Sequence, residues 1–308
     1  MAQTQPTPAY SHLAAAELAE RAAALRELMR ACRLCPRRCG VDRLAGETGA
    51  CRTGDRPVVS SYGPHFGEER PLVGRGGSGT IFLTHCNLHC IFCQNYDISQ
   101  LGDGRVTTVE YVAEVMLALQ EQGCHNINWV SPTHQAPALV EATAIARTRG
   151  LRLPIVYNCG GYESVETLRL LDGIVDIYMP DAKYGDNETG RLLSGVPDYW
   201  DRSREALAEM HRQAGDLQFD GQGLATHGLL VRHLVLPANL ANTAVVMECL
   251  AGLSRDTYVN VMAQYRPTYR AHEMPALSRS LTTDEFRAAV QAALDAGLHR
   301  LDERWAGR

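Results

Sequence analysis

From residue 80 onward, the chain alternates between two kinds of hydrophobic pattern. Short apolar, β-branched runs predict buried strands, and longer stretches with apolar residues every three or four positions predict helices. The strands are predicted near 80–84, 126–131, 154–158, 174–179, 229–236 and 258–263. The helices are predicted near 108–122, 137–148, 163–171, 199–213, 241–254 and 283–296. Strands that each precede a helix predict parallel βαβ units with right-handed crossovers.

This order of elements predicts an α/β fold, as either a partial (β/α)6-type barrel or a full parallel barrel. Chemistry on such barrels takes place at the C-terminal ends of the strands. Upstream, residues 12–31 have apolar residues at helical spacing and predict an amphipathic helix. Residues 32–79 are interrupted by Gly and Pro and predict a small irregular lobe. We therefore divide the chain into an N-terminal helix (1–31), a cysteine-rich metal-binding lobe (32–79) and a barrel (80–308).

Composition and charge exclude several classes of protein. The 308 residues carry a formal net charge of −5, which argues against a nucleic-acid-binding protein. No run of 18 apolar residues occurs, and Glu17, Glu20 and Arg21 interrupt the region where a signal peptide would lie. We therefore expect a cytoplasmic protein that is neither exported nor membrane-bound. A basic cluster could dock an acidic redox partner or simply face solvent. It consists of Arg30, Arg33, Arg37, Arg38 and Arg43.

The ten cysteines are the strongest sign of chemistry, because cytosolic thiols stay reduced and clustered ones indicate metal binding or catalysis. Cys86, Cys90 and Cys93 directly follow the first predicted strand, at Cys-x3-Cys-x2-Cys spacing. Three thiolates hold three irons of a four-iron cluster and leave the fourth iron open for a cofactor or substrate. The alternative is a zinc site that also uses His85 or His89, but neither spacing matches the common zinc modules.

The run CNLHCIFCQN resembles the signature of the radical S-adenosylmethionine (SAM) superfamily, and within it the run of pyruvate formate-lyase activating enzyme and its relatives. The resemblance implies a 4Fe-4S cluster whose open iron binds SAM, with Phe92 packed on the adenine. It implies that SAM is reductively cleaved to a 5′-deoxyadenosyl radical, which abstracts a hydrogen from the substrate. It also implies a glycyl residue of a partner protein as substrate and flavodoxin or ferredoxin as electron donor.

Later strand ends carry residues similar to those of the same family. The third strand ends with Asn158 and Cys159, the fourth with the Asp181-x-Lys183 element, and the fifth contains Arg232. The resemblance implies that Asp181 and Lys183 handle polar groups of the substrate or cofactor, and that Asn158 and Arg232 belong to the cofactor site. Cys159 is a further catalytic candidate, for instance as a hydrogen donor to a substrate radical.

One segment departs from the family pattern. The family has a Gly-Gly-Glu motif after the second strand, where it binds the amino group of SAM, whereas this chain has Ser131-Pro-Thr133-His134. Oxygens of Ser131 and Thr133 can still accept hydrogen bonds from that ammonium. His134 is either a cofactor contact or a residue of the helix start without a ligand role.

Upstream, four cysteines at x2, x3 and x11 spacing are enough for a second, tetrahedral site, either zinc or an auxiliary iron-sulfur cluster. They are Cys32, Cys35, Cys39 and Cys51. The alternative is four reduced thiols without metal. Together with the run His65-Phe-Gly-Glu-Glu69, this block resembles the N-terminal region of an uncharacterised branch of activating-enzyme homologues.

Three functions remain open at this point. The first is radical activation of a glycyl residue in a partner protein. The second keeps the radical chemistry but applies it to a small metabolite or peptide. The third is an iron-sulfur electron carrier without turnover, which the absence of a fourth thiolate from the triplet disfavours.

Overall fold

Nine strands join in one sheet in the computed structural model, which describes residues 7–302. The strands are β1 (Val58–His65), β2 (Ser78–Leu83), β3 (Arg105–Val106), β4 (Ile127–Val130), β5 (Ile155–Cys159), β6 (Ile177–Pro180), β7 (Gln218–Phe219), β8 (Ala225–Leu234) and β9 (Tyr258–Met262). Strands β2, β4, β5, β6, β8 and β9 pair side by side in parallel. This arrangement confirms the predicted α/β fold and its six-stranded partial barrel.

The barrel is open in the residues that the structure describes. At one end of the parallel set, β2 pairs with the antiparallel strand β1, which in turn pairs with β3. At the other end, β9 pairs only with β8 among the named strands. The alternative of a full closed barrel is therefore not what forms.

Ten helices accompany the sheet within the described range. They are α1 (Ala15–Glu27), α2 (Arg70–Val73), α3 (Tyr96–Ser99), α4 (Val109–Glu121), α5 (Ala136–Thr148), α6 (Val165–Leu170), α7 (Asn187–Ser194), α8 (Tyr199–Ala214), α9 (Thr243–Leu253) and α10 (Thr283–Asp295). Every helix expected from the sequence is present, with ends shifted by a few residues. None of the helices between residues 7 and 302 has the length and apolar character needed to cross a membrane.

Side chains on the inner face of the parallel strands form two layers. The lower layer is apolar and includes Val156, Ile177 and Leu230, against which Leu72 of α2 packs. Two residues further along their strands, Asn158 and Arg232 lie on the same face, because successive side chains alternate between faces of a sheet. The apolar layer thus forms a base beneath a polar layer at the C-terminal ends of the strands.

The irregular N-terminal lobe is shorter than the sequence indicated. Residues 58–65 form β1 and belong to the sheet, so the lobe ends near residue 57 rather than 79. Backbone hydrogen bonds from Cys32 N to Val41 O (2.9 Å) and from Gly40 N to Cys32 O (3.1 Å) fold the lobe back on itself. The lobe follows α1 directly and leads into the sheet through β1.

Candidate active site

A cavity of about 350 Å³ lies at the C-terminal ends of the parallel strands. Its size falls in the range of small-molecule sites, which is roughly 300–1,000 Å³. Its lining includes ten site residues that the sequence predicted. They are Cys86, Cys90, Phe92, Cys93, Ser131, Asn158, Cys159, Asp181, Lys183 and Arg232. Glu68 and His65 line the cavity as well.

The loop after β2 places the three cysteines of the triplet in this cavity. Each thiol has a local hydrogen-bond partner: Cys86 Sγ accepts from Leu88 N (3.4 Å), Cys90 Sγ is 3.0 Å from Ser194 Oγ, and Cys93 Sγ is 3.1 Å from Ser99 Oγ. Between residues 7 and 302, no three His, Cys, Asp or Glu side chains are gathered as they would be around a metal ion.

The chemistry of these donors nevertheless fits an iron-sulfur cluster. Three soft sulfur ligands from one short loop point to one cavity, which is the ligand type that iron-sulfur clusters require. Burial raises the pKa of the Cys86 thiol to about 12 and also raises the pKa of Cys90. These thiols are therefore protonated at neutral pH unless a bound metal displaces the protons.

A network of charged residues forms the opposite part of the cavity. Asp181 Oδ1 accepts from Arg232 Nε (2.9 Å), and Asp181 Oδ2 accepts from Lys183 Nζ (2.5 Å). Arg232 also donates to Asn158 Oδ1 (2.7 Å). Burial alone would raise the pKa of Asp181, but the adjacent guanidinium and ammonium groups lower it. Burial likewise opposes the charge on Lys183, yet the negative charge of Asp181 raises its pKa. All three groups are therefore ionised at neutral pH.

Phe92 and Ser131 lie where the sequence led us to expect cofactor contacts. Phe92 is 5% exposed, lines the cavity and packs edge-on against Tyr184 and Tyr265. Ser131 also lines the cavity, and its N–H donates to Asn158 O (2.9 Å). The positive φ of Ser131 (59°) turns the chain sharply at the end of β4.

Because of this turn, the structure does not bring Thr133 and His134 into the cavity with Ser131. Thr133 Oγ1 donates to Glu163 Oε1 (2.7 Å) behind β5, and His134 Nε2 lies 2.8 Å from Thr84 O. Burial lowers the pKa of His134 to about 3, so the ring is neutral. The interpretation of these two residues as cofactor contacts therefore has no support from their positions, and His134 takes the structural role at the helix start.

Cys159 lines the cavity and is backed by a buried carboxyl that the sequence interpretation missed. Glu163 accepts hydrogen bonds from Thr133 Oγ1 and from Tyr157 OH (3.0 Å). Burial raises its pKa to about 7, and the Cys159 thiol contacts it. The available signal was its place in the run Cys159-Gly-Gly-Tyr-Glu163, directly after a strand end.

Glu68 is the second missed residue of the cavity. Its carboxylate lies 3.7 Å from Arg232 Nη1, and burial together with the charge of Glu69 raises its pKa to about 8. Glu69 in turn accepts from Asn260 Nδ2 (2.9 Å). Both acids belong to the run that resembled the uncharacterised branch, but no pattern along the chain predicted their position inside the barrel.

The four upstream cysteines all lie in the N-terminal lobe. Cys32, Cys35 and Cys51 are buried, whereas Cys39 is exposed. Burial raises the pKa of Cys35 to about 12, with further contributions from the nearby Cys51 and Cys32. Cys39 Sγ accepts from Ala50 N (3.4 Å), which places it beside the segment that ends in Cys51.

A family model and an archaeal relative are similar to this chain in sequence. The family model of the radical SAM superfamily matches residues 80–216, which include the cysteine loop. An uncharacterized protein of Methanocaldococcus jannaschii, MJ0674, is 33% identical over 277 residues, which cover 87% of this chain and 75% of that protein.

Several solved structures are similar to this chain at lower sequence identity. The FeFe-hydrogenase maturase HydG from Carboxydothermus hydrogenoformans is 14% identical with a TM-score of 0.46, and the match covers 70% of this chain and 50% of that one. A second HydG structure is 12% identical with a TM-score of 0.49, and the match covers 94% of this chain and 62% of that one. A structure of TYW1 with a lysine-pyruvate adduct bound is 11% identical with a TM-score of 0.43, and the match covers 70% of this chain and 73% of that one.

The matched range contains the cysteine loop and the strands β4, β5 and β6, and the archaeal relative extends the similarity over most of the chain. Proteins of this kind use a 4Fe-4S cluster together with SAM, to which the three-thiol loop and the charged cavity are suited. The chain therefore belongs to the radical SAM superfamily.

Proposed function

We propose that this chain is a radical SAM oxidoreductase whose 4Fe-4S cluster is held by Cys86, Cys90 and Cys93. The bound cluster and SAM would supply a 5′-deoxyadenosyl radical that abstracts hydrogen from a substrate in the cavity. One observation carries this proposal: the three thiols line the same cavity as the network of Asp181 and Lys183.

The chain's own residues would bind and orient the reactants. Lys183 donates one N–H to Asp181 and has further donors for a carboxylate, since an ammonium carries three. Asn158 uses its carbonyl oxygen for Arg232, which leaves its amide N–H groups as donors. Phe92 offers an apolar surface for an adenine ring, and Ser131 offers a hydroxyl oxygen for an ammonium. Cys159 lies in the same cavity as a candidate hydrogen donor.

For the substrate, we propose a glycyl residue of a partner protein, as in activating enzymes. The open sheet and the exposed Asn95 and Gln264 among the lining residues give an extended segment access to the cavity. A small metabolite or peptide is the second candidate, because a cavity of about 350 Å³ is large enough to enclose one.

We propose in addition that the lobe holds a second metal, either zinc or iron with or without sulfide. The support is that all four of its cysteines lie in one small lobe and that three of them are buried. An exposed thiol without a metal, such as Cys39, would be open to oxidation.

The first test is anaerobic reconstitution followed by dithionite, SAM and an assay for 5′-deoxyadenosine. We expect product from the wild type and at least about a hundredfold less from Cys90→Ala, because one thiolate of the cluster is lost. Cys249→Ala, which changes a cysteine on α9 outside both groups, should keep full activity. If the cluster-loaded wild type forms no product, the chain is an electron carrier instead.

A further inference from the structure

Two buried acids, Glu68 and Glu69, lie between β1 and α2 on the side of the cavity that β8 forms. Glu68 lines the cavity, and its Oε2 is 3.7 Å from Arg232 Nη1 on β8. Glu69 lies behind it and accepts from Asn260 Nδ2 through Oε1 (2.9 Å). Its second oxygen, Oε2, is buried and has no hydrogen-bond partner among the described residues. The cavity thus has a carboxyl in its wall and another carboxyl next to it.

The two cations of the cavity are already shared with another acid. Arg232 Nε donates to Asp181 Oδ1 (2.9 Å), and Lys183 Nζ donates to Asp181 Oδ2 (2.5 Å). The carboxyls of Asp181, Glu68 and Glu69 therefore outnumber the cations of Arg232 and Lys183 by one. Since buried charges are stable only when they are paired, this part of the cavity is suited to one more positive charge.

The protonation of Glu68 reflects the same imbalance. Burial and the charge of Glu69 raise the pKa of Glu68 to about 8, so near neutral pH the carboxyl carries a proton. The titratable groups around it are Glu69 in the same loop, His65 on β1, Asp181 and Lys183 after β6, and Arg232 on β8. Arg70, the next residue after Glu69, is exposed. A positive group bound in the cavity would take the place of the proton on Glu68.

We propose that Glu68 binds a primary ammonium group of the substrate. An ammonium carries three N–H donors, and an ionised carboxylate only accepts, so the two groups are complementary. The inference rests on the proposed function and adds a requirement to its substrate. The reacting molecule has an amino group, either as a small amine or as the lysine side chain of a peptide.

The position of Glu68 separates this ammonium from that of SAM. Ser131, which we proposed for the amino group of the cofactor, follows β4, the neighbour of β2 in the sheet. Glu68 lies beside Arg232 of β8, and β4, β5 and β6 come between β8 and β2 in the sheet order. The cysteine loop that would hold the cluster follows β2. The carboxyl of Glu68 is therefore on the side of the cavity that remains for the substrate.

The experiment compares cations with neutral molecules of the same shape. The probes are n-butylamine against 1-butanol, and a blocked lysine peptide against its norleucine counterpart. Binding to the reconstituted protein with SAM, without a reductant, is measured by isothermal titration calorimetry at concentrations up to about 50 mM. At neutral pH, we expect the wild type to bind at least one of the two cations at least about tenfold more tightly than its neutral counterpart.

The variant that tests the carboxyl is Glu68→Gln. Glutamine has the shape of a protonated glutamic acid, so the cavity should keep its form, and 1-butanol should bind as it does to wild type. The preference for the cation should fall to within about twofold, because the negative charge is lost. Glu248→Gln, on the exposed face of α9, is the matched control and should keep the preference of wild type.

Proton release gives a second readout, which needs no variant. Near neutral pH, binding of the cation should release up to about one proton from the wild type, because the ligand stabilises ionised Glu68. The release should diminish toward about pH 9, where Glu68 is already ionised. Calorimetry in two buffers of different ionisation enthalpy measures it, and Glu68→Gln should release no proton.

The outcomes separate this inference from the proposed function. A preference for butylamine alone would identify a small amine as substrate, and a preference for the lysine peptide alone would identify a peptide. Equal binding of cations and neutral probes to the wild type would overturn the ammonium site. So would a Glu68→Gln variant that keeps the cation preference but binds SAM more weakly. Failure of the wild type to form 5′-deoxyadenosine with dithionite would instead overturn the proposed function.

Discussion

Glu163 is a buried carboxyl beneath the cavity, with only 1% of its surface exposed. It accepts hydrogen bonds from Thr133 and Tyr157, yet burial raises its pKa from 4.5 to about 7. A carboxyl whose pKa is higher in the folded protein binds a proton on folding. Its contribution to stability is therefore full below about pH 4.5 and is lost as the pH rises through 7.

We predict that Glu163→Gln reduces the loss of stability between pH 5 and pH 8. A glutamine keeps the shape of a neutral glutamic acid, and the two hydroxyls can rotate to suit it. The free energy of unfolding of the variant relative to wild type should rise by about 2 to 3 kcal/mol over this interval. Urea denaturation at both pH values measures it, and Glu248→Gln on the exposed face of α9 is the control.

An equal difference at pH 5 and pH 8 would show that Glu163 keeps an ordinary pKa in the folded protein. In that case, the carboxylate would stay ionised beneath Cys159 at neutral pH. The same two measurements thus decide whether Glu163 binds a proton near neutral pH.

At this scale, the sequence predicted cavity residues where spacing and strand position both pointed to them. Cys86 and Asp181 directly follow strands, and the C-terminal ends of parallel strands meet at one edge of the sheet. Glu68 and Glu163 were missed because their burial depends on contacts between distant segments. The sequence left His134 open between a cofactor contact and a residue of the helix start, because no sequence pattern predicts the positive φ at Ser131 that turns the chain before it.

At the scale of elements, the turn that follows β5 is held against the end of β6. Gly161 has a positive φ of 77°, and a Cβ at this position would lie 2.1 Å from Asp181 O. The carbonyl belongs to the residue whose side chain organises the charged network. Packing of this turn therefore fixes where the network stands relative to the cysteine loop.

We predict that Gly161→Ala lowers the free energy of unfolding by at least about 3 kcal/mol, since it adds a backbone clash to the strain of a positive φ. Gly150→Ala is the matched control, because Gly150 also has a positive φ (93°) but has open space around it. It should cost only about 1 kcal/mol. Equal losses in the two variants, measured by urea denaturation, would mean that the β5 turn can move away from β6 without cost.

Most elements were predictable because their hydrophobic periods are regular. The longest strand that the sequence analysis missed is β1, whose sequence Val-Val-Ser-Ser-Tyr-Gly63-Pro64-His includes two residues that disfavour strands. It forms because Val58 and Val59 are buried and because pairing with β2 satisfies its backbone groups. Such pairing is a tertiary effect that local propensity does not report.

At the scale of the whole molecule, the N-terminal segment packs against the barrel and forms hydrogen bonds with it. Tyr10 is fully buried, and its hydroxyl donates to Leu153 O (3.1 Å), two residues before β5 begins. Asp176 accepts from both Ala9 N (2.7 Å) and Ile155 N (2.8 Å). Helix α1 also packs against α5 and α6. The N-terminal helix and the barrel thus share one core, although the sequence suggested separate units at 1–31 and 80–308.

We therefore predict that Tyr10→Ala weakens the whole molecule and not only its N-terminal segment. Loss of a large buried aromatic side chain should lower the free energy of unfolding by about 3 to 5 kcal/mol. Urea unfolding followed by tryptophan fluorescence reports on the three tryptophans, of which Trp129 of β4 is fully buried, while far-UV circular dichroism reports on the helices. Both midpoints should fall together with unchanged slopes, because one cooperative unit gives coincident transitions.

The control is Leu294→Ala, at a half-exposed leucine of α10, which should cost less than about 1 kcal/mol. If Tyr10→Ala instead produces an early loss of helical signal while the tryptophan fluorescence stays native, the N-terminal segment unfolds independently of the barrel. The N-terminal helix and the barrel would then unfold as separate units, as the division expected from the sequence implies, even though they are packed together. The lobe lies between these two parts along the chain and contacts the cysteine loop. Coincident transitions would therefore mean that the N-terminal helix and the barrel both stabilise the lobe.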